Sequence, residues 1–243
     1  MRRLHWMPKL FLLLLLVSGS AAAVPESFEA HYSFIAKGMV LGETRYKLEK
    51  IPAKKGQLAQ YRFSTHTEPT GLAALMVDKI IDEESFWKWQ DGELRPLYYR
   101  YEQKGKKQKL RTRDFNWTER QVIADDNGQQ TTLQGLQPGT VDEALFMVAL
   151  MRDLKSGKHP LRYPVIRKGA WSHYEFHQQT EEQITVPAGT FQALPILRNG
   201  NSDRTFQLWA AASLDYLPVQ VEYRDEDGKR FLLKLKSTTL LQR

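Results

Sequence analysis

A period of two constrains this chain more than any other feature. Phe28, Ala30, Tyr32 and Phe34 alternate with Ser27, Glu29, His31 and Ser33. In an extended backbone successive side chains point to opposite faces, so this is a strand with one buried face and one wet one. The same alternation returns at Thr44-Tyr46-Leu48, Tyr61-Phe63-Thr65, Trp87-Trp89, Phe206-Leu208 and Phe231-Leu233-Leu235. Between such runs stand Asp91-Gly92, Asn127-Gly128, Asn199-Gly200 and Asp227-Gly228, dipeptides that accept the positive φ angles of two-residue hairpin turns. Connections this short join antiparallel neighbours. The pattern predicts an all-β, mainly antiparallel fold of about a dozen strands, arranged as a long-stranded curved sheet or open β-barrel.

Two segments depart from it. From Thr140 to Gly157 the chain reads as a helix, with Thr140 and Glu143 placed for a capping box and Gly157 for the stop. Its centre, Ala144 to Met151, is apolar throughout. A helix with no polar face must be covered on most sides, so it is expected in the concavity of the sheet, with Leu145, Val148 and Met151 as the side chains facing an apolar interior. The second segment, Gly71 to Val77, is either a packed core element or a lip over a cavity; packing is the simpler expectation.

The N-terminus sets an address. Arg2, Arg3 and Lys9 precede eight apolar residues, Leu10 to Val17, and then small residues ending in Ala21-Ala22-Ala23. This is the layout of a cleavable signal peptide over residues 1–23 with cleavage after Ala23. The apolar run is far short of the roughly 20 residues that span a bilayer. The expectation is therefore one periplasmic β-rich domain over residues 24–243, not membrane-spanning once the signal is removed. The sequence has no cysteine, which excludes a lipid-modified cysteine, a disulfide and a thiolate metal site. Without residues 1–23 the formal charge falls from +7 to +4, with 32 basic against 28 acidic residues, too little to argue for a nucleic-acid partner.

Candidate chemistry is sparse. His173, Glu175 and His177 share a strand face, but the histidines are then about 13 Å apart, too far to hold one ion together, and a solvated face is the expected reading. There is no Gly-x-Ser-x-Gly elbow, and the acids in Asp82-Glu83-Glu84 and Asp125-Asp126 are sequence neighbours that a strand turns to opposite faces. No catalytic, cofactor or metal site is assigned. The densest charge pattern is the run from Lys104 to Arg113. As a strand it projects Lys107, Lys109, Arg111 and Arg113 from one face at about 6.8 Å intervals, continuing into Phe115 and Trp117. Such a stripe either meets anionic lipid headgroups or is the solvated side of a sheet whose charges guard an edge. The small net charge favours the second.

Leu94-Arg-Pro-Leu-Tyr-Tyr, Asp142 in the apolar helix, Thr185-Val-Pro-Ala-Gly-Thr-Phe, Leu208-Trp-Ala and Tyr216-Leu-Pro-Val, in that order, resemble a family of exported bacterial proteins, domain-of-unknown-function family 3108. Phe28-Glu-Ala-His-Tyr with Gly38 and Gly42 fits its first hairpin. The resemblance implies an all-β envelope protein, akin to the open barrels of periplasmic lipoprotein carriers, and brings no catalytic residue. The leading expectation is a binder or carrier of an apolar or amphipathic, lipid-like envelope ligand. The alternatives are a structural or protein-interaction module of the envelope and, less favoured, an enzyme.

Overall fold

A computed structural model describes residues 27–53, 56, 58–167, 169–198 and 205–242. Residues 1–23, read from the sequence as a signal peptide with cleavage after Ala23, and the expected turn at Asn199-Gly200 lie outside these. Fifteen strands follow one another: β1 (Phe28–Ala36), β2 (Met39–Ile51), β3 (Gln60–Pro69), β4 (Ile80–Gln90), β5 (Glu93–Lys104), β6 (Lys109–Asn116), β7 (Gln121–Asp126), β8 (Gln129–Gln134), β9 (Leu161–Arg167), β10 (Ala170–Gln178), β11 (Glu182–Val186), β12 (Gly189–Arg198), β13 (Thr205–Ala211), β14 (Leu217–Arg224) and β15 (Arg230–Thr238). All strand pairings are antiparallel, in the order β8-β7-β6-β5-β4-β3-β2-β1-β15-β14-β13-β12-β10-β9, with β11 added beside β12. Sequence neighbours pair almost throughout, as the short turns require. The one long-range seam, β1 on β15, joins the two ends of the chain.

The turns are the predicted ones where they are described. Asp91-Gly92 and Asn127-Gly128 both hold two consecutive positive φ angles, 54° and 77°, then 57° and 86°, the geometry whose twist matches a hairpin. At Asp227-Gly228 only the glycine is left-handed, φ 73°. The turn there is wider, with Asp225 and Lys229 pairing across it and Gly228 N–H donating to Asp225 O. Prolines fall where a missing N–H costs least. Pro164 lies on the edge strand β9, and Pro195 lies where β12 exchanges β11 for β10 as its partner.

The sheet is not closed: β8 and β9 are its free edges. They are bridged without strand pairing of one to the other. Trp171 Nε1 donates to Gln134 O at 2.8 Å, and Val141 N–H donates to Pro164 O at 3.0 Å in the connection that follows β8. That connection feeds the helix α1 (Phe146–Lys155), whose residues from Phe146 to Met151 are all buried, as is Leu154. Phe146 packs on Tyr174, Phe176 and Phe206, with ring centroids 5.3–5.9 Å apart. Arg152 lies over the Trp89 ring of β4. The helix thus touches both arms of the open barrel and fills its concavity, as its apolar sequence requires. Each large side chain so buried contributes about 1.5–3 kcal/mol.

Three local expectations are corrected. The Thr140–Glu143 box does not form: Thr140 turns back to Gln137 O, and α1 starts later, at Phe146, with no side-chain cap. Asp142 Oδ1 instead accepts the N–H groups of Ala144 and Leu145, in the turn before the helix, at 2.9 and 2.7 Å, as aspartate readily does where backbone N–H groups are left free. Gly157 does supply the stop, with φ 68°. The segment from Gly71 is a short 3-10 turn, Gly71–Leu75, that packs nothing into the core; Leu72, Leu75 and Met76 are 83%, 83% and 86% exposed.

The basic stripe is the third. Lys107 lies in the β5–β6 turn rather than on a strand. The face shared by Lys109, Arg111, Arg113 and Phe115 is the inner one: Phe115 and Arg113 are buried. Arg113 Nη2 donates to Asp126 Oδ1 at 2.8 Å and Nη1 to the carbonyls of Thr112 and Asp125, while Arg111 stacks over Tyr101. A strand opposite with a carboxylate at the right register turns cations inward, and β7 places Asp126 there.

Candidate functional site

The inner face of β4 gives the depth scale of the barrel. Ile81, Glu83, Ser85 and Trp87 project inward in succession, from the end that carries the β3–β4 connection towards the β4–β5 turn. Helix α1 occupies the far end, where its C-terminal residues Arg152 and Asp153 meet Trp89 and Tyr163. The near end has no such plug. Beside Ile81 and Glu83 lies a cavity of about 460 Å³ walled by Phe34, Leu41, Tyr46, Val77, Tyr101, Phe206, Val221, Tyr223, Phe231 and Leu233, with Thr44, Thr65 and Thr67 also in its lining. Exposed residues of the β3–β4 connection, Val77 and Lys79, stand among its lining. An apolar pocket of this size with a few convergent polar groups has the shape of a small-molecule site.

The polar floor is built from the middle rungs. Glu83 Oε1 accepts the Tyr99 hydroxyl at 2.7 Å and Oε2 the Thr65 hydroxyl at 3.4 Å. One rung deeper, Ser85 donates to Asp142 Oδ2. Removal from water pushes the Glu83 carboxyl up to about 7, with the nearby Glu143 and Asp142 adding to the shift against its hydroxyl donors. Burial likewise raises Asp142, to about 6, against the three hydrogen bonds it accepts. Glu143 is raised by desolvation, opposed by Arg111, Arg113 and Arg167, and its Oε1 has no hydrogen-bond partner among the described residues. The cavity thus has largely apolar walls and, at its floor, the Glu83 carboxyl, which burial holds protonated up to about pH 7.

Of the residues singled out from the sequence, Leu145, Val148 and Met151 are buried; they pack the helix-filled part of the barrel and do not line the cavity. His173 and His177 lie exposed on β10, and no group of three or more potential metal ligands occurs among the described residues. Glu83, the cavity's one carboxylate below its mouth, escaped the sequence reading as one of three consecutive acids. The available signal was its place in the inward series Ile81-Glu83-Ser85-Trp87, between two acids that point outward into ion pairs, Asp82 with His66 at 2.6 Å and Glu84 with Arg62 at 3.5 Å.

An open antiparallel β-barrel, plugged at one end by its own helix and hollow at the other, is the class of protein these elements define. The chain belongs to the family of proteins of unknown function DUF3108, whose model it matches over residues 27–235. Among solved structures it is similar to a β-barrel-like protein of the domain-of-unknown-function family DUF1849 from Brucella abortus. That match has 10% identity and a TM-score of 0.50, and covers 87% of this chain and 96% of the other. A candidate lipoprotein from Parabacteroides distasonis, 11% identical, matches at a TM-score of 0.36 over 89% and 96% of the two chains. The first likeness extends to the fold alone. A comparison with curated proteins found no match. Among the described residues no helix is long and apolar enough to cross a membrane.

Proposed function

We propose that the protein binds an apolar or amphipathic, lipid-like molecule in the hollow end of the barrel and serves as a carrier or holder of it in the periplasm. The observation that carries this reading is the cavity of about 460 Å³. A side chain the size of those already lining it would fill that space at a gain in packing, yet the walls leave it open beside exposed residues. The floor suits an amphipathic guest: Glu83 with its proton can donate to, and without it accept from, a hydroxyl or amine headgroup seated against Tyr99 and Thr65. A binder rather than a catalyst is favoured by the placement of Ser85 and Asp142: both are buried and neither lines the cavity, so the serine hydroxyl is out of a guest's reach.

Native mass spectrometry and solvent extraction of protein purified from cells expressing the full-length chain test the reading. An apolar adduct is expected, and Val221→Phe, which adds a ring to the cavity wall, should reduce its occupancy severalfold while the protein stays folded. Absence of any adduct, together with no rise in Tm across a panel of lipids and detergents, would overturn it.

A further inference from the structure

The exposed apolar side chains of this protein are not scattered. Nine large ones stand out among the described residues, and seven of them, Met39, Val40, Leu72, Leu75, Met76, Val77 and Leu110, belong to one end of the barrel, the end at which the cavity lies. They come from three neighbouring connections. The β1–β2 turn brings Met39 and Val40, each 59% exposed. The β3–β4 connection brings Leu72 through Val77, and is fastened to β2 by Thr70 N–H donating to Leu41 O at 3.2 Å. The β5–β6 turn is held against the same connection by Lys106 N–H donating to Asp78 Oδ2 at 3.1 Å. Soluble proteins rarely keep side chains such as Leu72, Leu75 and Met76 almost wholly in water, and never group them without cause.

The charges beside them are cationic. Lys37 sits in the first turn, Lys79 ends the apolar segment, and Lys106, Lys107 and Lys109 flank it from the β5–β6 turn; all five are exposed. None of their ammonium groups makes an ion pair among the described residues, although most other lysines here do. Partial burial and the nearby Lys109 both disfavour the charge of Lys79. Of the acids at this end, Asp78 accepts from the Lys106 backbone, Glu68 at the mouth faces His66 at 3.5 Å, Asp126 holds Arg113 and Asp227 holds Lys229.

We infer that this rim is a membrane-docking surface, with Leu72, Leu75, Met76, Met39 and Val40 entering the interface of an anionic bilayer and Lys106, Lys107 and Lys109 meeting its headgroups, so that the cavity opens onto the lipid. A short apolar knob ringed by lysines has the composition of interfacial anchors. Each lysine near an anionic surface strengthens the attraction to it. The apolar residues supply the part of the attraction that salt does not screen. The inference concerns the rim and does not require the cavity to be occupied.

Flotation with phosphatidylcholine vesicles, with and without phosphatidylglycerol, at low and physiological ionic strength, tests it on the protein recovered from cells expressing the full-length chain. The wild type should float with the anionic vesicles. A Leu72→Ser, Leu75→Ser, Met76→Ser variant should lose at least tenfold in binding at both ionic strengths. A Lys106→Gln, Lys107→Gln, Lys109→Gln variant should lose severalfold, mainly at low salt. All six side chains are exposed, so unchanged melting curves should accompany both losses. A wild type that stays in solution, or an apolar-to-serine variant that floats as well as the wild type, overturns the inference. So does rim-dependent capture of a protein without binding to protein-free vesicles, which would mark a protein-docking surface. Vesicle binding with neither a co-purifying adduct nor a rise in Tm across the lipid and detergent panel would support docking and sink the carrier reading; an adduct without vesicle binding would do the reverse.

Discussion

The hydroxyl of Ser85, on β4, donates to Oδ2 of Asp142 at the start of α1, 57 residues further along the chain, at 2.5 Å. Asp142 uses its other oxygen for the N–H groups of Ala144 and Leu145, in the turn that leads into the helix. One buried carboxyl thus fixes the turn before the helix and ties it to the barrel wall. Asp142→Ala should cost about 2–4 kcal/mol, the loss of two turn hydrogen bonds plus a stranded hydroxyl. Asp142→Asn keeps an acceptor for the N–H groups and gains a donor for Ser85, so its cost should be below about 1.5 kcal/mol. Urea unfolding of the two variants at pH 7 decides it; equal losses would mean that the charge, not the hydrogen-bond geometry, holds the helix.

Stability should fall as the pH rises from 5 to 8. Glu83 and Asp142 hold their protons in the folded state up to about 7 and 6, against ordinary values of 4.5 and 3.8. Between those limits the folded protein binds protons that the unfolded chain has released, so its advantage is full below about pH 4 and is lost as the pH passes through 6 and 7. Carboxylates shifted the other way, such as Glu49 and Glu222, act only at lower pH. Glu83→Gln, which still accepts from Tyr99, should flatten the upper part of the curve. Urea midpoints of wild type and variant that run parallel from pH 5 to 8 would contradict this.

Leu145 and Val148 have no exposed surface. Replacing either with aspartate puts an unpaired charge between the arms of the sheet and should remove several kcal/mol. Thermal melts with shifts of only a degree or two for both would place the helix outside the concavity.

Arg113 and Lys109 share a strand face but not an environment. Arg113→Ala leaves Asp126 and two carbonyls without their donor and should cost about 3 kcal/mol. Lys109→Ala should stay within about 0.5 kcal/mol. Comparable losses measured by chemical denaturation would mean that Arg113 is wetter than its contacts indicate.

The backbone of this protein was largely written in local sequence. Period-two alternation sets strands, Asp91-Gly92 and Asn127-Gly128 set hairpins, and the unbroken apolar run from Ala144 to Met151 demands a covered helix; each of these depends on neighbours within a few residues. Alternation, however, fixes which residues share a face and not which face is inside. Lys109, Arg111 and Arg113 do share a face, yet Arg111 and Arg113 turn inward, where Asp126 faces them from β7, while Lys109 stays exposed at the strand's start, and nothing within β6 encodes that. In the same way Glu83 is separated from Asp82 and Glu84 by parity alone. Its shift towards neutrality arises from burial, with Glu143 and Asp142 on the approach to the helix adding to it against the hydrogen bond from Tyr99 on the neighbouring strand. The cavity was legible nowhere along the chain. Its walls run from Phe34 to Leu233, and it exists because the helix is too short to fill the whole barrel and the apolar turn after β3 stays outside. Sequence carried what the local backbone and side-chain period dictate. Burial, charge pairing and empty space were decided only when strands distant in sequence closed around one another.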